Sequence, residues 1–115
     1  KMETLGVYIV NSGTNVGGEI NEIRPAIVIS DVSTKDNTLL VVPLTSKKPG
    51  VHYRGGFTIK QSKYQTNPKY VTSFAKVRKI REIDKSRIVS VKRYTLDQED
   101  SNKLAEQIKQ VIKVL

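Results

Sequence analysis

The chain has 115 residues, of which 37% are hydrophobic and 27% charged, so we expect one domain over residues 1–115 with a single modest core. The absence of cysteine excludes disulfides, thiolate zinc sites and a cysteine nucleophile, and the one histidine, His52, cannot form a histidine relay. No apolar run approaches the ~18 residues of a membrane span and no signal-like segment opens the chain, so we expect a cytoplasmic protein without a membrane partner.

The positive charge is concentrated in the middle of the chain. The net charge is +9, and residues 47–93 carry fourteen basic and two acidic side chains, whereas the segments on either side are slightly acidic. Aromatic residues are interleaved with these cations: Tyr53, Phe57, Tyr64, Tyr70 and Phe74. Cations that replace phosphate counterions and rings on which bases stack are typical of a nucleic-acid surface. The pattern favours a polyanionic partner over a basic surface that only keeps the protein soluble.

Short apolar blocks separated by turn residues predict β structure for the first ninety positions. The predicted strands cover residues 5–10, 26–30, 38–44, 57–60, 70–77 and 88–94. Pro25 is expected at the start of the second strand, and Pro43 at a bulge or edge position, because proline cannot donate a backbone hydrogen bond. Residues 46–68 are rich in lysine, glycine and tyrosine and are expected to form a long, partly mobile basic loop or hairpin.

The C-terminal segment predicts an amphipathic helix. Asp97 can cap its first turn, and apolar residues recur at helical spacing on one face. These residues are Leu104, Ile108, Val111, Ile112 and Leu115. We expect this face to pack on the sheet, since a domain of this size needs the apolar area for its own core. The sequence therefore predicts a mainly β (α+β) domain with a C-terminal helix.

Polar residues gather at the ends of two predicted strands. Glu19 and Arg24 precede the second strand, and Thr45 and Ser46 follow the third. Ends of adjacent strands lie ~4.8 Å apart, so these side chains can converge. General motifs give no competing site, because the chain has no dinucleotide-binding glycine pattern, phosphate loop or serine elbow.

Four segments carry a resemblance to a known family. They are Gly6-Val7-Tyr8; Val16-Gly17-Gly18-Glu19 with Arg24-Pro25-Ala26-Ile27-Val28-Ile29-Ser30 after it; Val42-Pro43-Leu44-Thr45-Ser46; and residues 80–88. The chain resembles the MazF/PemK family of toxin endoribonucleases from bacterial toxin–antitoxin modules. The resemblance implies a small SH3-like antiparallel β-barrel of the MazF/PemK/CcdB type. It also implies a homodimer that cleaves single-stranded RNA, such as mRNA, at short sequences without a metal or other cofactor, and a cognate antitoxin with an acidic, partly disordered segment.

The same resemblance assigns roles to three residues. The family's catalytic arginine and threonine match Arg24 and Thr45, and a glutamate in the loop before the arginine matches Glu19. Internal RNA cleavage needs a base for the 2′-hydroxyl proton, a cation for the extra charge on the phosphorane and a proton for the departing 5′ oxygen. Arg24 suits the cation because a guanidinium forks onto two phosphate oxygens. Thr45 can donate a hydrogen bond to the phosphate, and Glu19 is the available carboxylate.

The chain departs from some relatives just before the Ile80-Arg81 pair. Those relatives carry an acidic residue and a glutamine there, and the acid is proposed as their general base; here the positions hold Arg78 and Lys79. We expect polar and basic residues to bind the phosphates that flank the cut. This predicted set comprises Ser46, Lys47, Lys48, Lys76, Arg78 and Lys79. If Lys76 and Arg78 share a strand, they point to the same face.

Structural interpretations of the same residues stay open. Arg24 can pair with Glu22, and Glu19 can be a solvated turn residue. Arg81, Asp84 and Arg87 are interpreted as an ion-pair corner outside the active site. Two alternative functions also stay open: a non-catalytic RNA-binding domain, or a gyrase-directed toxin of the same fold. The gyrase-directed toxin uses a tryptophan near its C terminus, and this chain has no tryptophan.

Overall fold

The computed structural model describes residues 2–13 and 22–115, and Glu19 lies outside these ranges. The described residues form seven strands, three 3₁₀ turns and one α-helix. The strands are β1 (Gly6–Asn11), β2 (Ile23–Val28), β3 (Thr38–Ser46), β4 (Gly56–Lys60), β5 (Thr72–Lys76), β6 (Arg81–Asp84) and β7 (Tyr94–Thr95), and the helix α1 is Gln98–Val111. No helix in the described part of the chain is long and apolar enough to cross a membrane.

The strands form one antiparallel sheet that curls into a half-barrel. Its order is β4-β5-β3-β2-β1-β7, and β6 also pairs with β3. β3 is central because it pairs with β2 along one edge and with β5 and β6 along the other. The predicted mainly β fold with a C-terminal helix is confirmed.

Side chains alternate between two faces of the sheet, and both faces bury apolar residues. The front face carries Val10, Arg24, Ala26, Val41, Thr45 and Phe74, and the back face carries Val7, Ile9, Pro25, Ile27, Val42 and Leu44. Leu104 of α1 completes the larger core on the back face, whereas Ile83 of β6 packs into the smaller cluster on the front face. Burial on both faces explains the nearly continuous apolar run of β2.

A three-residue insertion separates β5 from β6 along β3. Leu44 pairs with Ala75 and Val41 pairs with Arg81, so three steps along β3 correspond to six steps along its neighbour. The additional residues form the 3₁₀ turn Val77–Lys79. This insertion makes the chain bulge away from the sheet at two cationic residues.

Pro43 lies opposite this insertion. On that edge of β3, pairing stops at Val41 and resumes at Leu44. A proline in the gap leaves no ladder hydrogen bond unmade, since it has no N–H to donate. The predicted bulge position of Pro43 is confirmed.

The bounds of β2 and β3 differ from the predictions in ways that matter for the site. β2 begins at Ile23, three residues earlier than predicted, so Pro25 lies within the strand. β3 continues to Ser46, so Thr45 lies within that strand and not after it. Pairing with β1 extends β2 to Ile23, and pairing with β5 extends β3 to Ser46. The local sequence does not reveal these partners.

In the second half of the chain one predicted strand is wrong and another is present with different bounds. Residues 88–94 do not form a strand: Ile88 makes an isolated bridge to Val10, and only Tyr94–Thr95 pairs as a strand. The predicted strand 70–77 ends at Lys76, and Arg78 lies in the following turn, so these two side chains do not share a strand face.

The helix α1 begins and packs as the sequence predicts. The Asp97 carboxylate accepts a hydrogen bond from the backbone N–H of Asp100 at 2.9 Å. Leu104 is buried, and Ile108 and Val111 pack partly buried against the back-face core. The predicted apolar face ends there, because residues 112–115 lie beyond the helix.

Candidate active site and nucleic-acid surface

Arg24 and Thr45 point to the same face at the place where β2 and β3 separate. The pairing of these strands ends at Ala26 and Pro43, and Arg24 and Thr45 lie two residues further along each strand, on the same face as that last pair. From there β2 continues beside β1, while β3 continues beside β5. The sheet therefore opens between the two side chains on its front face.

A small cleft of about 50 Å³ lies at this opening, and three charged side chains line it: Glu22, Arg24 and Arg81. Arg24 Nε lies 3.5 Å from Glu22 Oε2, and both side chains are about half exposed. The ion pair that the sequence left open is therefore present. It is weak at this exposure, so Arg24 can exchange the carboxylate for a phosphate. Thr45 is not one of the residues that line the cleft.

Arg81 lines the cleft, a position that the sequence interpretation did not give it. It pairs with Val41 in β6, lies on the front face, and makes no ion pair with any residue in the described ranges. The predicted ion-pair corner is therefore wrong for Arg81. Asp84 accepts the Ser86 N–H at 2.8 Å, and this hydrogen bond is the main reason its pKa is lowered, with a smaller contribution from the charge of Arg87. The alternation of Arg81 with buried Ile83 is the one sequence signal that places the guanidinium on the same face as the cleft.

Thr45 is half-buried beside its cross-strand partner Phe74. Its hydroxyl forms no hydrogen bond with any residue in the described part of the chain. A hydroxyl in this state can donate to a ligand without first breaking a protein contact. Ser46, in contrast, belongs to the opposite face because it pairs with Ser73, so the structure does not bring its side chain to Arg24 and Thr45.

The loop after β3 folds over the front face. The Tyr53 ring lies 5.0 Å from the Phe74 ring, and its hydroxyl accepts the backbone N–H of Lys48 at 2.9 Å. Lys47 Nζ donates to Thr58 Oγ1 at 2.8 Å. These contacts hold the two predicted phosphate-binding lysines beside the strand that carries Thr45.

The 3₁₀ insertion brings further cations to this loop. Arg78 and Lys79 are exposed, and Lys76 is half-buried at the end of β5. The backbone N–H of Arg78 donates to the Gly55 carbonyl at 3.2 Å. Gly55 has a φ of +72°, and a Cβ there would lie 2.3 Å from the Arg78 side chain, so only glycine lets the arginine stem lie across the loop.

One group of carboxylates in the described ranges is close enough to hold a metal ion, and a lysine ammonium already pairs with all of its members. It consists of Asp97, Glu99 and Asp100. The Lys63 ammonium lies among them, 2.8, 2.7 and 3.2 Å from their oxygens. The hydrogen bond to Asp97, followed in importance by the one to Glu99, raises the pKa of Lys63. This network joins α1 to the turn after β4 and lies apart from the residues of the front-face cleft.

These observations define a small antiparallel β domain whose front face combines an arginine-lined cleft with a basic loop. A family model described as PemK-like, MazF-like toxin of type II toxin-antitoxin system matches residues 3–112. The chain belongs to this family, as the sequence predicts. No curated protein matches the chain in sequence.

Two solved structures share the fold at low sequence identity. One is Mycobacterium tuberculosis toxin MazF-mt6, with a TM-score of 0.67, 14% identity and coverage of 94% of this chain and 96% of that chain. The other is an endoribonuclease in complex with its cognate antitoxin from Mycobacterial species, with a TM-score of 0.68, 10% identity and coverage of 100% and 98%. At these identities the likeness shows the fold.

Proposed function

We propose that the chain is the toxin of a type II toxin–antitoxin module and acts as a sequence-selective, metal-independent endoribonuclease on single-stranded RNA. The observation that carries the proposal is the placement of Arg24 and Thr45 on one face where β2 and β3 separate. A scissile phosphate requires a cation and a hydroxyl that can donate to it, and the Thr45 hydroxyl has no hydrogen-bond partner among residues 2–13 and 22–115.

The reaction has three requirements: removal of the 2′-hydroxyl proton, stabilisation of the charge on the phosphate and protonation of the departing 5′ oxygen. The ribose 2′-hydroxyl attacks the adjacent phosphorus while a base accepts its proton, and the P–O5′ bond then breaks as the 5′ oxygen gains a proton. The products are a 2′,3′-cyclic phosphate and a 5′-hydroxyl. Arg24 holds two phosphate oxygens and stabilises the charge that develops on them, and Thr45 donates a hydrogen bond to the phosphate.

Two carboxylates are candidates for the base. Glu19 is the sequence candidate and lies outside the described residues. Glu22 lines the cleft, and its carboxylate is 3.5 Å from Arg24. The variants Glu19→Gln and Glu22→Gln separate them, because loss of the true base lowers the cleavage rate at neutral pH about 10²–10⁴-fold while leaving RNA affinity in place.

RNA binding on either side of the cut falls to the basic loop and the insertion. Lys47, Lys48, Lys76, Arg78 and Lys79 are the proposed phosphate ligands, together with Ser46, whose side chain lies on the back face. Each phosphate neutralised on a single strand contributes a slope of about −0.7 to the logarithmic salt dependence of binding. We further propose a cytoplasmic homodimer whose acidic, partly disordered antitoxin competes for the same cationic surface.

The proposal is tested by incubating the purified protein with a mixed single-stranded RNA in EDTA. Discrete fragments that end in cyclic phosphate are expected, and a 2′-deoxy substitution at the cut should block cleavage because it removes the nucleophile. Arg24→Ala should lower the rate about 10²–10³-fold with an unchanged melting temperature, since the one ion pair it forms with a described residue is weak. Lys109→Ala, on the exposed side of α1, is the control with the same charge change.

The same assay identifies the alternative. RNA that binds the front face but stays intact would make the chain a non-catalytic RNA-binding domain. An Arg24→Ala variant that cleaves at the wild-type rate would refute the active site proposed here.

A further inference from the structure

The proposed reaction leaves one requirement without a residue: the proton that the departing 5′ oxygen must gain. Arg24 is a poor source because a guanidinium stays protonated throughout the pH range of proteins. Glu19 and Glu22 are the candidate bases that receive a proton. The donor has to lie on the far side of the phosphate from the base, since the attacking and departing oxygens are roughly in line across phosphorus.

Lys47 lies on the same face of the sheet as Thr45. Its backbone N–H donates to the Thr72 carbonyl at 3.1 Å, so the ladder between β3 and β5 continues one residue beyond Ser46. Side chains alternate along an extended chain, and Lys47 therefore shares the front face with Thr45, two residues before it. An ammonium and the hydroxyl proposed to bind the phosphate are neighbours on one strand.

Thr58 fixes the position of this ammonium. Lys47 Nζ donates to Thr58 Oγ1 at 2.8 Å. Phe74 pairs with Thr45 on one side and with Thr58 on the other, so these three side chains form a row across the front face. Because β5 lies between β3 and β4, the Lys47 side chain reaches across β5 along this row.

The ammonium of Lys47 keeps its charge and its donors for a substrate. It forms no ion pair with a carboxylate in the described ranges. Its hydrogen bond to a hydroxyl uses one of three N–H groups. The side chains of Lys48 and His52, in the same loop, form no hydrogen bond or ion pair within residues 2–13 and 22–115, so no described contact fixes them.

Tyr53 holds the backbone on both sides of Lys47. Its hydroxyl accepts the Lys48 N–H at 2.9 Å and donates to the Ser46 carbonyl at 3.3 Å. Its ring lies 5.0 Å from the ring of Phe74, which joins this contact to β5. Lys47 is therefore fixed at its backbone and at its ammonium, as an acid that must meet one particular oxygen requires.

Lys47 and Glu22 lie on opposite sides of Thr45. Glu22 Oε2 is 3.5 Å from Arg24 Nε at the start of β2, which pairs with one edge of β3. The Lys47 ammonium reaches toward β4, beyond the other edge of β3. A phosphate bound by Arg24 and Thr45 therefore has a carboxylate on one side and an ammonium on the other, which matches an in-line displacement.

We propose that Lys47 is the acid that protonates the departing 5′ oxygen, an assignment that rests on the proposed function. The 2′ oxygen attacks phosphorus, the P–O5′ bond breaks with its electron pair on O5′, and O5′ takes a proton from Lys47 Nζ. The lysine becomes a neutral amine and regains a proton from water before the next cut. Tyr53 is the positioning residue that holds this donor.

The test uses a single-stranded RNA in which sulfur replaces the bridging 5′ oxygen at the mapped cut. A thiolate leaves without a proton because it is a far weaker base than an alkoxide. Under single-turnover conditions, Lys47→Met should slow cleavage of the oxygen substrate about 10²-fold or more and leave the sulfur substrate near the wild-type rate. Equal slowing of the two substrates would overturn the proposal, since a lysine that only binds phosphate affects both alike.

Lys47→Arg separates proton transfer from charge. The guanidinium stays protonated, so RNA affinity and its salt dependence should remain those of the wild type while the oxygen substrate is still cleaved slowly. Wild-type cleavage of that substrate by Lys47→Arg would reduce Lys47 to a phosphate ligand and refute the assignment.

Tyr53→Phe tests the positioning role. It keeps the ring and removes the hydroxyl, so it should slow the oxygen substrate more than the sulfur substrate, which a general loss of folding does not do. Equal slowing of both substrates by this variant would remove the positioning role from Tyr53.

Two neighbours in the loop are the matched controls. Lys48→Met removes the same charge from the next residue and should weaken RNA binding while affecting the two substrates equally. His52→Ala should leave the ratio of the two rates unchanged. A selective loss of the oxygen substrate in His52→Ala, with none in Lys47→Met, would make the histidine the acid and the proposal wrong.

Failure of the assignment and failure of the proposed function give different results. If the wild-type protein cleaves neither substrate, the proposed function is wrong and the assignment falls with it. If the wild-type protein cleaves both and Lys47→Met slows both equally, the endoribonuclease stands and only the assignment is refuted.

Discussion

Removal of the Arg81 guanidinium gives the sharpest test of the front-face cleft. Arg81 is exposed in β6 and shares the cleft with Arg24 across β3. Two strand spacings of ~4.8 Å separate β2 from β6, so the two guanidinium groups can hold oxygens of one phosphate or of two consecutive phosphates. We predict that Arg81→Ala lowers RNA cleavage while the fold stays intact.

The magnitude follows from what Arg81 contacts. It forms no ion pair in the described ranges and its side chain is exposed, so its loss should change stability by less than about 0.5 kcal/mol. Loss of one donor to the developing phosphorane costs about 2.7–4 kcal/mol, which is a 10²–10³-fold decrease in kcat. Loss of a contact to a flanking phosphate instead raises KM and reduces the salt slope by about 0.7, with kcat preserved.

The assay is cleavage of a fluorescent single-stranded RNA under single-turnover conditions at several salt concentrations. Arg81→Lys tests the geometry, because an ammonium keeps the charge but cannot fork onto two oxygens. Lys109→Ala is the control for net charge. Wild-type values of kcat, KM and salt slope in Arg81→Ala, with wild-type stability, would refute the assignment of the cleft.

Three further changes test separate contacts. Gly55→Ala places a methyl group against the Arg78 stem in left-handed backbone, so it should lower RNA affinity and the melting temperature together, as measured by fluorescence anisotropy and calorimetry. Thr45→Val removes the hydroxyl at nearly constant volume, so it should lower kcat at least tenfold without weakening RNA binding in an anisotropy titration. Lys63→Met should remove part of the acid sensitivity of folding, because Lys63 is the first cause of the lowered pKa of Asp97. The Lys63–Asp97 interaction stabilises the folded state fully above pH 3.8, and this stabilisation is lost as the pH falls through the lowered pKa of Asp97. The melting temperatures of wild type and variant should therefore converge toward low pH.

The sequence predicts most of the fold because its main signals are local. Aliphatic and β-branched runs mark β1 to β3, and Asp97 with the apolar spacing after it marks α1. The strand β6 escapes prediction because its four residues carry one buried side chain, Ile83, between charged neighbours. Its partner, β3, is distant in sequence, so only the folded sheet reveals that Arg81 belongs to the cleft.

The incorrect strand at 88–94 has a different cause. Val89 and Val91 favour an extended conformation locally, but they are 56% and 83% exposed and do not form a ladder. The Ser90 hydroxyl accepts the backbone N–H of Ile9, and the Val89 N–H donates to the Ile9 carbonyl. These two hydrogen bonds pair the N–H and the carbonyl of Ile9 on the edge of β1, where a regular strand was expected.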